Sequence, residues 1–306
     1  MRVLVTGASG FLGKALLPRL TVRNTVYALS RRPLKISKNL IPLVGDITES
    51  NLGLDSTPKG IERVYHLAAL HNLGEDRDNS IWNTNVTGTE NVIDFCLKHG
   101  IPELYFCSTA YTVGEGRNVY EKSKILCEET VQHSGIRKVV IFKPSIVMGT
   151  KENPFIGHFS QFVALLIRTH GKAELVRRKV EGTLRLPVIE PVFRVKGNPE
   201  GYLNLTTVDA VAEGMVKGRN KGTYWLTNPA PPTLRQLAKW IGESTMVEFK
   251  IQPDDFHKTP IEALFARRVS AFEPYLWGDN FPSHIKGHPL ITREFIHEVI
   301  VSSLKG

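Results

Sequence analysis

The sequence contains few cysteines and no long apolar run. Its 306 residues include three cysteines, Cys96, Cys107 and Cys127, which form no Cys-x-x-Cys pair. We therefore expect buried thiols in a reducing compartment, the cytoplasm, and no disulfide framework. No stretch reaches the roughly 18 consecutive apolar residues of a membrane span, so none is expected. A predicted strand follows Met1 directly, which argues against a signal peptide.

Patterns of metal ligands are equally sparse. His284 and His288 lie four residues apart, but Gly287 and Pro289 argue against a helix that would present both imidazoles to zinc. The sequence shows no other cluster of ligands, and we expect no metal site. The 42% apolar content, in contrast, is enough for a large α/β unit with a second lobe.

The first residues carry a specific local pattern. The β-branched run Arg2–Thr6 leads into a glycine-rich turn, and a helical pattern follows from Lys14. Such a turn lets the backbone approach a pyrophosphate at a helix N-terminus, where free N–H groups attract an anion. The spacing is G-x-x-G-x-x-G, and Ala8 and Ala15 exclude a phosphate-binding P-loop. The candidate cofactor-binding residues of the turn are Gly7, Ser9, Gly10, Phe11, Leu12 and Gly13.

Tyr120 and Lys124 lie four residues apart, which on a helix places them on one face about 5–6 Å apart. A free phenol, with a pKa near ~10, is a poor acid at neutral pH. An ammonium roughly 4 Å away favours the phenolate by up to about 4 kcal/mol at an effective dielectric of 20. The phenol pKa could then approach neutrality. The spacing alone also fits a solvated helix face, but the glycine turn favours a catalytic pair.

The second predicted strand, Thr25–Ser30, ends beside two arginines. An acid at this point would bind the ribose of NAD, whereas a guanidinium suits a ribose 2′-phosphate. Each charge-assisted hydrogen bond contributes about 1.5–3 kcal/mol. We therefore expect NADP(H), bound through Ser30, Arg31 and Arg32. The alternative is a pair of solvated arginines.

Strand and helix signals alternate through most of the chain. Apolar runs at 63–67, 104–107 and 139–142 alternate with helical stretches at 80–99 and 121–132. This pattern predicts an α/β protein with a doubly wound parallel sheet, the Rossmann fold. The rhythm stops after Gly149, where a helix at 155–170 precedes a poorly periodic stretch, and it returns at 203–228. We assign 1–149 and 203–228 to the NADP-binding domain, and 150–202 with 229–306 to a smaller mixed substrate-binding lobe.

Taken with the glycine turn, Tyr120 and Lys124 make the chain resemble the extended short-chain dehydrogenases/reductases, which include NAD-dependent epimerases and dehydratases. The resemblance covers nearly the whole chain. Four further segments carry it: Asp46-Ile47, His66-Leu67-Ala68-Ala69, Asn85-Val86-Thr87-Gly88-Thr89, and Lys143-Pro144-Ser145-Ile146-Val147-Met148-Gly149. It implies an adenine site at Asp46 and Ile47. The remaining implied cofactor contacts are Leu67, Ala68, Ala69, Pro144, Ile146 and Val147, the last three beside the nicotinamide.

The resemblance also implies a catalytic set. A Ser or Thr at the end of the fifth strand orients the substrate carbonyl, and Thr109 holds that place by register, with Ser108 as the second candidate. Tyr120 acts as the acid and is also an implied cofactor contact. Lys124 lowers its pKa and binds the nicotinamide ribose, and Asn85 relays protons.

A finer resemblance is to the branch of thioester reductase domains and fatty acyl-CoA reductases. It rests on five segments: 108–111, 118–124, 143–147, 205–212 and 224–228. The expected function is an NADP(H)-dependent oxidoreductase that reduces a carbonyl or thioester of a small-molecule substrate, with a homodimer as one expected assembly. Two other classes stay open. Arg31 and Arg32 count against a nucleotide-sugar epimerase or dehydratase, and the intact catalytic set counts against a non-catalytic NADP-binding regulator.

The net charge of +9 is partly concentrated in a basic stretch at residues 168–196. Its cations are Arg168, Lys172, Arg177, Arg178, Lys179, Arg185, Arg194 and Lys196, and its acids are Glu174, Glu181 and Glu190. Without interleaved aromatic residues or a known motif, nucleic acid is not an expected partner. A membrane surface could be contacted through an apolar face at 159–166. A phosphate-bearing substrate handle, such as CoA, phosphopantetheine or a nucleotide sugar, fits the fold best, and a solvated loop or lid stays open.

Overall fold

The computed structural model describes residues 1–185 and 191–304. The strands in these ranges are β1 (Arg2–Thr6), β2 (Thr25–Ser30), β3 (Leu40–Val44), β4 (Arg63–His66), β5 (Glu103–Cys107), β6 (Lys138–Pro144), β7 (Ile146–Met148), β8 (Phe193–Lys196), β9 (Leu205–Thr207), β10 (Gly222–Leu226) and β11 (Phe249–Gln252). The α-helices are α1 (Phe11–Thr21), α2 (Ser80–Trp82), α3 (Gly88–Lys98), α4 (Val119–Gln132), α5 (His158–Leu184), α6 (Val208–Lys217), α7 (Leu234–Thr245), α8 (Pro260–Val269) and α9 (Arg293–Leu304). Short 3₁₀ turns lie at Ser50–Gly53 and Ser270–Trp277, and a π-helical turn lies at Asn83–Thr87.

A parallel sheet organises the first part of the chain. Seven of the described strands pair in the order β10-β6-β5-β4-β1-β2-β3, and every pairing is parallel. The order reverses between β1 and β4, and the carboxyl ends of the strands at such a switch point are where open α/β sheets bind ligands. The predicted fold class, a doubly wound α/β sheet of the Rossmann type, is confirmed.

Burial on both faces explains why the central strands read as continuous apolar runs. Val3, Leu4 and Val5 of β1 are fully buried, and so are Leu104 and Phe106 of β5. Helices α3 and α4 pack residues such as Val92, Phe95 and Val131 into the same core. The sheet is therefore a rigid support for the loops at its edges.

Contacts divide the chain into two compact units. The first comprises 1–145, 206–229 and 282–288, and the second comprises 146–205, 230–281 and 289–306. The sequence-based assignment placed 282–288 in the second lobe. In the structure this segment joins the first unit, because Trp225 N donates to His284 Nδ1 at 2.9 Å and His284 N donates to Trp225 O at 2.8 Å.

Aromatic rings fill the core of the second unit. Phe162 packs edge-to-face on Phe249 and Phe265, each at 5.7 Å between ring centroids, and Phe193 lies 5.4 Å from Phe265. Strands β8 and β11 form a parallel pair that carries two of these rings. A capping box at Thr259 fixes the start of α8.

Helix α5 corrects the sequence reading of residues 155–184. The pattern predicted a helix at 155–170 followed by poorly periodic chain, but α5 runs unbroken through 27 residues. Its first half buries Phe162 and Leu166. Its second half is held by ion pairs along the helix, where Arg177 contacts Glu174 and Glu181, each at 2.7 Å. Ion pairs between charged residues three and four apart therefore stabilise the second half of α5. A search for apolar periodicity does not detect them.

The predicted helix at 80–99 is also modified. The structure has α2, then the π-helical turn, then α3, so the segment contains one wider turn around Asn85. Single π turns inside helices occur frequently at functional sites. Within 1–185 and 191–304, no helix is both long and apolar enough to cross a membrane.

Candidate active site

The glycine turn follows β1 at the switch point of the sheet. Gly7 has φ +67°, and a Cβ there would meet Ala68 N at 2.6 Å. A Cβ on Gly13 would collide with the carbonyl oxygen of Gly7. Helix α1 begins after Gly10 with no side-chain cap and no acid in its first turn. Its N–H groups are therefore suited to an anion, and the turn fits a dinucleotide pyrophosphate.

Gly7 and Gly10 are needed for different reasons, which their exposure distinguishes. Ser9 and Gly10 are exposed, and Phe11 and Leu12 are half-buried at the start of α1. The missing side chain at Gly10 leaves this surface open, where a Cβ would meet only Gly7 O at 3.1 Å. Gly7 is required by packing against the loop after β4, while Gly10 leaves room for a ligand.

The end of β2 displays the two arginines that suggested NADP(H). Ser30 is buried, and its hydroxyl donates to the carbonyl of Arg32 at 2.7 Å. Arg31 and Arg32 are exposed. Ser30 thus fixes the backbone that carries these guanidinium groups.

The segment after β3 holds the predicted adenine-site residues. Asp46 Oδ1 accepts from Thr48 N at 3.0 Å and from Thr48 Oγ1 at 2.9 Å. Ile47 is 6% exposed and packs where a Cβ on Gly88 would otherwise sit. The Asp46 carboxylate therefore shapes its own turn.

Buried His66, at the end of β4, connects the glycine turn to α3. Its Nδ1 lies 2.7 Å from Thr6 Oγ1, and its Nε2 lies 3.0 Å from Thr89 Oγ1. Because Thr89 Oγ1 donates to Asn85 O at 2.6 Å, its remaining capacity is to accept from His66 Nε2–H. Burial, with a smaller effect of Lys124, lowers the pKa of His66 to about 3. The imidazole is therefore neutral at physiological pH.

Asn85 lies in the π-helical turn and is 1% exposed. Its side chain accepts from Leu70 N at 2.8 Å, and donates to Leu70 O at 3.0 Å and to Ser123 Oγ at 2.9 Å. Ser123 Oγ in turn donates to Tyr120 O at 2.7 Å. Asn85 thus ties the loop after β4 to the helix that carries Tyr120, and its role in proton relay stays a prediction.

Helix α4 presents Tyr120 and Lys124 on one face, as the spacing predicted. It begins at an Asn118 cap, which accepts from Glu121 N at 2.9 Å. Lys124 is 3% exposed, and its Nζ donates to Cys107 O at 2.9 Å. Burial lowers the pKa of this ammonium. Tyr120 is half-buried, with its ring 6.4 Å from that of His71.

Thr109 follows β5, next to the carbonyl that holds Lys124. It is 5% exposed, and Ala110 N donates to Pro144 O at 2.8 Å, which fastens its segment to β6. Ser108, the second candidate, donates its hydroxyl to the carboxylate of Glu128. The Ser108 proton is therefore already engaged, which favours Thr109.

Not every predicted residue lies in this region of the first unit. Leu67, Ala68 and Ala69 follow β4 directly, and Pro144 ends β6. Ile146 and Val147 belong to β7, which lies in the second unit.

The basic stretch at 168–196 contains both cations held in ion pairs and exposed cations. Arg177 is held in helix ion pairs, Arg194 contacts Glu262 at 2.6 Å, and Lys196 contacts Asp255 at 2.8 Å. The exposed cations of the second half of α5 are Lys172, Arg178 and Lys179. Glu190 lies outside the described residues.

Sequence reasoning missed Glu128, Lys143 and Thr112, which form a polar cluster beside Thr109. One signal could have found Glu128, because it follows Lys124 by four residues and so shares the face of Tyr120. Within the described ranges, no group of three or more His, Cys, Asp or Glu side chains could hold a metal.

The seven-stranded parallel sheet and the glycine turn at its switch point together define a protein of the Rossmann fold class. A family comparison is more specific: the model of the NAD dependent epimerase/dehydratase family matches residues 3–183. The chain belongs to this family, and the expected family is confirmed.

Named relatives include both reductases and epimerases. The chain is 36% identical over 112 residues to 2-alkyl-3-oxoalkanoate reductase of Stenotrophomonas maltophilia, covering 36% of this chain and 33% of the relative. It is 26% identical over 166 residues to N-acetyl-alpha-D-glucosaminyl-diphospho-ditrans,octacis-undecaprenol 4-epimerase of Escherichia coli O157:H7, covering 49% of this chain and 50% of the relative. The chain thus spans half or less of these relatives' length.

Among solved structures, the fold is similar to that of the terminal R domain from the myxalamid PKS-NRPS biosynthetic pathway. The TM-score is 0.67 at 19% identity, over 99% of this chain and 90% of that one. At this identity the likeness describes the fold alone.

Proposed function

We propose that the protein is an NADP(H)-dependent oxidoreductase that reduces a carbonyl or a thioester. The observation that carries the proposal is the environment of Lys124, a buried ammonium fixed on the carbonyl of Cys107 one turn after Tyr120. Burying an ammonium group removes it from water and costs free energy. A buried lysine one helical turn from a tyrosine is therefore a candidate for a chemical role. Membership of an NAD-dependent family supports the binding of a dinucleotide by this chain.

Residues of this chain account for cofactor binding. The N–H groups at the start of α1 would bind the pyrophosphate, and Arg31 and Arg32 would bind a ribose 2′-phosphate. Lys124 would donate to the nicotinamide ribose. When bound, NADPH supplies the hydride.

Proton transfer and substrate orientation belong to side chains after the carboxyl end of β5 and in the first turns of α4. Thr109 Oγ1 donates a hydrogen bond that orients the carbonyl oxygen of the substrate. Tyr120 gives its proton to that oxygen as negative charge develops, and the Lys124 ammonium lowers the cost of forming the phenolate. A ketone or aldehyde becomes an alcohol, whereas a thioester becomes a hemithioacetal that collapses to an aldehyde and a thiol.

A nucleotide-sugar epimerase is the second candidate. The family description and the 4-epimerase relative from Escherichia coli O157:H7 favour it. An epimerase recycles its dinucleotide, so net consumption of NADPH separates the two functions.

The test is NADPH oxidation by the purified protein with a panel of substrates. It contains an acyl-CoA, the matching N-acetylcysteamine thioester, a ketone, an aldehyde and a UDP-sugar. We expect NADPH consumption with a carbonyl or thioester. Conversion of the UDP-sugar without net NADPH consumption would establish the epimerase. A much lower KM for the acyl-CoA than for its truncated analogue would support recognition of a phosphate-bearing handle on the substrate.

A further inference from the structure

The Glu128 carboxylate is the centre of a polar cluster at the carboxyl end of the sheet. Its Oε1 accepts hydrogen bonds from Ser108 Oγ and, at 2.8 Å, from Thr112 Oγ1. Its Oε2 lies 2.8 Å from Lys143 Nζ, which also donates to Thr112 Oγ1 at 2.8 Å. The side chains of Glu128 and Lys143 are 13% and 10% exposed. Water therefore competes little with these contacts.

The cluster forms hydrogen bonds with both ends of the segment that carries Thr109. Ser108 precedes Thr109 directly, and Thr112 follows it by three residues. The described contacts of Thr109 Oγ1 itself are long, 3.4 Å from Tyr111 N and 3.5 Å from Pro144 O. The position of this hydroxyl is therefore set by the backbone of residues 108–112 and by the groups that hold it.

Glu128 also lies on the helix that carries the acid. Tyr120, Lys124 and Glu128 follow one another at intervals of four residues on α4 and so share one face. The Glu128 carboxylate connects this face directly to the 108–112 segment. Lys143, from β6, completes the connection on the neighbouring strand.

We propose that Glu128 and Lys143 are positioning residues that hold the 108–112 segment against α4, so that Thr109 Oγ1 and Tyr120 reach the same carbonyl oxygen. The inference rests on the proposed function and adds two residues that act through the position of Thr109 and Tyr120. A misplacement of about 1 Å in such an arrangement can cost roughly 10²-fold in rate.

A general stabilising ion pair is the competing explanation, and the chain contains a matched control. At the other end of β5, Glu103 contacts Arg63 Nη2 at 2.6 Å and Lys138 Nζ at 3.4 Å, and its side chain is 14% exposed. Glu103 and Glu128 are thus similarly buried carboxylates, each paired with a cation. Only Glu128 contacts the Thr109 segment.

The experiment compares Glu128→Gln with Glu103→Gln by hydrogen exchange and by kinetics. In the full chain without added nucleotide, we expect Glu128→Gln to speed exchange of the amides in 108–112 by about tenfold or more, since local opening governs exchange. With NADPH and the best substrate of the panel, kcat should fall about 10- to 100-fold while KM changes little. The affinity for NADPH, measured by fluorescence titration, should stay within about twofold of wild type, because the cluster does not contact the glycine turn. Glu103→Gln should change neither exchange in 108–112 nor kcat.

Two further substitutions separate charge from shape. Lys143→Met should reproduce the loss of kcat, and Lys143→Arg, which keeps the cation, should recover most of it. If Glu128→Gln does not fold, Lys143→Met permits the same comparison, with faster exchange expected in 108–112.

Unchanged exchange in 108–112 for Glu128→Gln, or for Lys143→Met in its place, overturns the proposal whatever the kinetics show. Equal losses of kcat in the Glu103 and Glu128 variants also overturn it, in favour of general stabilisation. Faster exchange in a protein whose wild type oxidises no NADPH means that the segment is held as proposed while the proposed function fails.

Discussion

The two ends of the parallel sheet bury charge in different ways. At the amino end, Glu103 on β5 is neutralised by Arg63 at 2.6 Å and by Lys138 at 3.4 Å. At the carboxyl end of the same strand, the Lys124 ammonium is held by the neutral carbonyl of Cys107 at 2.9 Å. A charge held by a neutral acceptor still acts on its surroundings, whereas a charge that ion pairs neutralise acts on them much less. The comparison predicts that changes at the carboxyl end alter chemistry and that changes at the amino end do not.

The largest expected effect is that of Tyr120→Phe. Removing the acid should lower kcat by about 10²–10⁴-fold, the usual contribution of general acid catalysis. The affinity for NADPH should be nearly unchanged, because the phenyl ring keeps its place on α4. Steady-state kinetics and nucleotide titration measure both quantities.

Tyr105→Phe is the matched control for the Tyr120 substitution. Tyr105 lies within β5, and its hydroxyl donates to Arg219 O at 3.3 Å. This variant should keep wild-type turnover. Full activity in Tyr120→Phe would remove the catalytic assignment and favour a non-catalytic NADP-binding regulator.

His66 sharpens the comparison, because it lies at the carboxyl end of β4 yet should affect stability. Its folded-state pKa is lowered to about 3 from an ordinary 6.5, mainly by burial. As pH falls below about 6.5, the unfolded chain binds a proton that the folded chain does not. This residue should therefore lower the free energy of unfolding by about 2–3 kcal/mol between pH 7 and pH 4.5.

Urea unfolding of wild type and His66→Gln at pH 7, 5.5 and 4.5 measures this contribution. The variant has no imidazole to titrate, so the stability difference between the two proteins should shift in its favour as pH falls. Parallel pH profiles for the two proteins would contradict the prediction.

The remaining effect concerns cofactor choice at the carboxyl end of β2, with a control before its amino end. Arg31→Ala with Arg32→Ala should weaken NADPH binding about tenfold or more and leave NADH binding unchanged, because each lost charge-assisted hydrogen bond removes about 1.5–3 kcal/mol. Arg23, exposed before the amino end of β2, supplies the control, and Arg23→Ala should bind both nucleotides as wild type does. Equal affinity of the wild type for NADPH and NADH would refute the assignment.

Much of the carboxyl end could be predicted from the sequence because its signals are local. The glycine turn, the Tyr120–Lys124 spacing and the register of Thr109 each depend on a few consecutive residues, and the structure places them at the ends of β1 and β5 or on α4. The alternation of strands and helices was equally readable, since both faces of the sheet are buried.

What could not be predicted depends on contacts between distant residues. Glu128 meets Ser108 and Lys143 only after β5, α4 and β6 are assembled, and no local pattern records those pairings. The extension of α5 past residue 170 depends on ion pairs of Arg177, which an apolar pattern does not reveal. The π-helical turn at Asn83–Thr87 likewise contains Asn85, whose bond to Leu70 N forms only once the loop after β4 is in place.

The glycine turn also determines how a ligand is received. Gly10 N donates to Gly7 O at 3.0 Å, and both Gly7 and Gly13 are packed so closely that no side chain would fit. The turn therefore has its shape by virtue of contacts within the protein. An anion that binds there meets a preorganised surface, so little conformational entropy is lost on association. Affinity for the cofactor should consequently depend on the groups displayed around the turn and be insensitive to the flexibility of the turn itself.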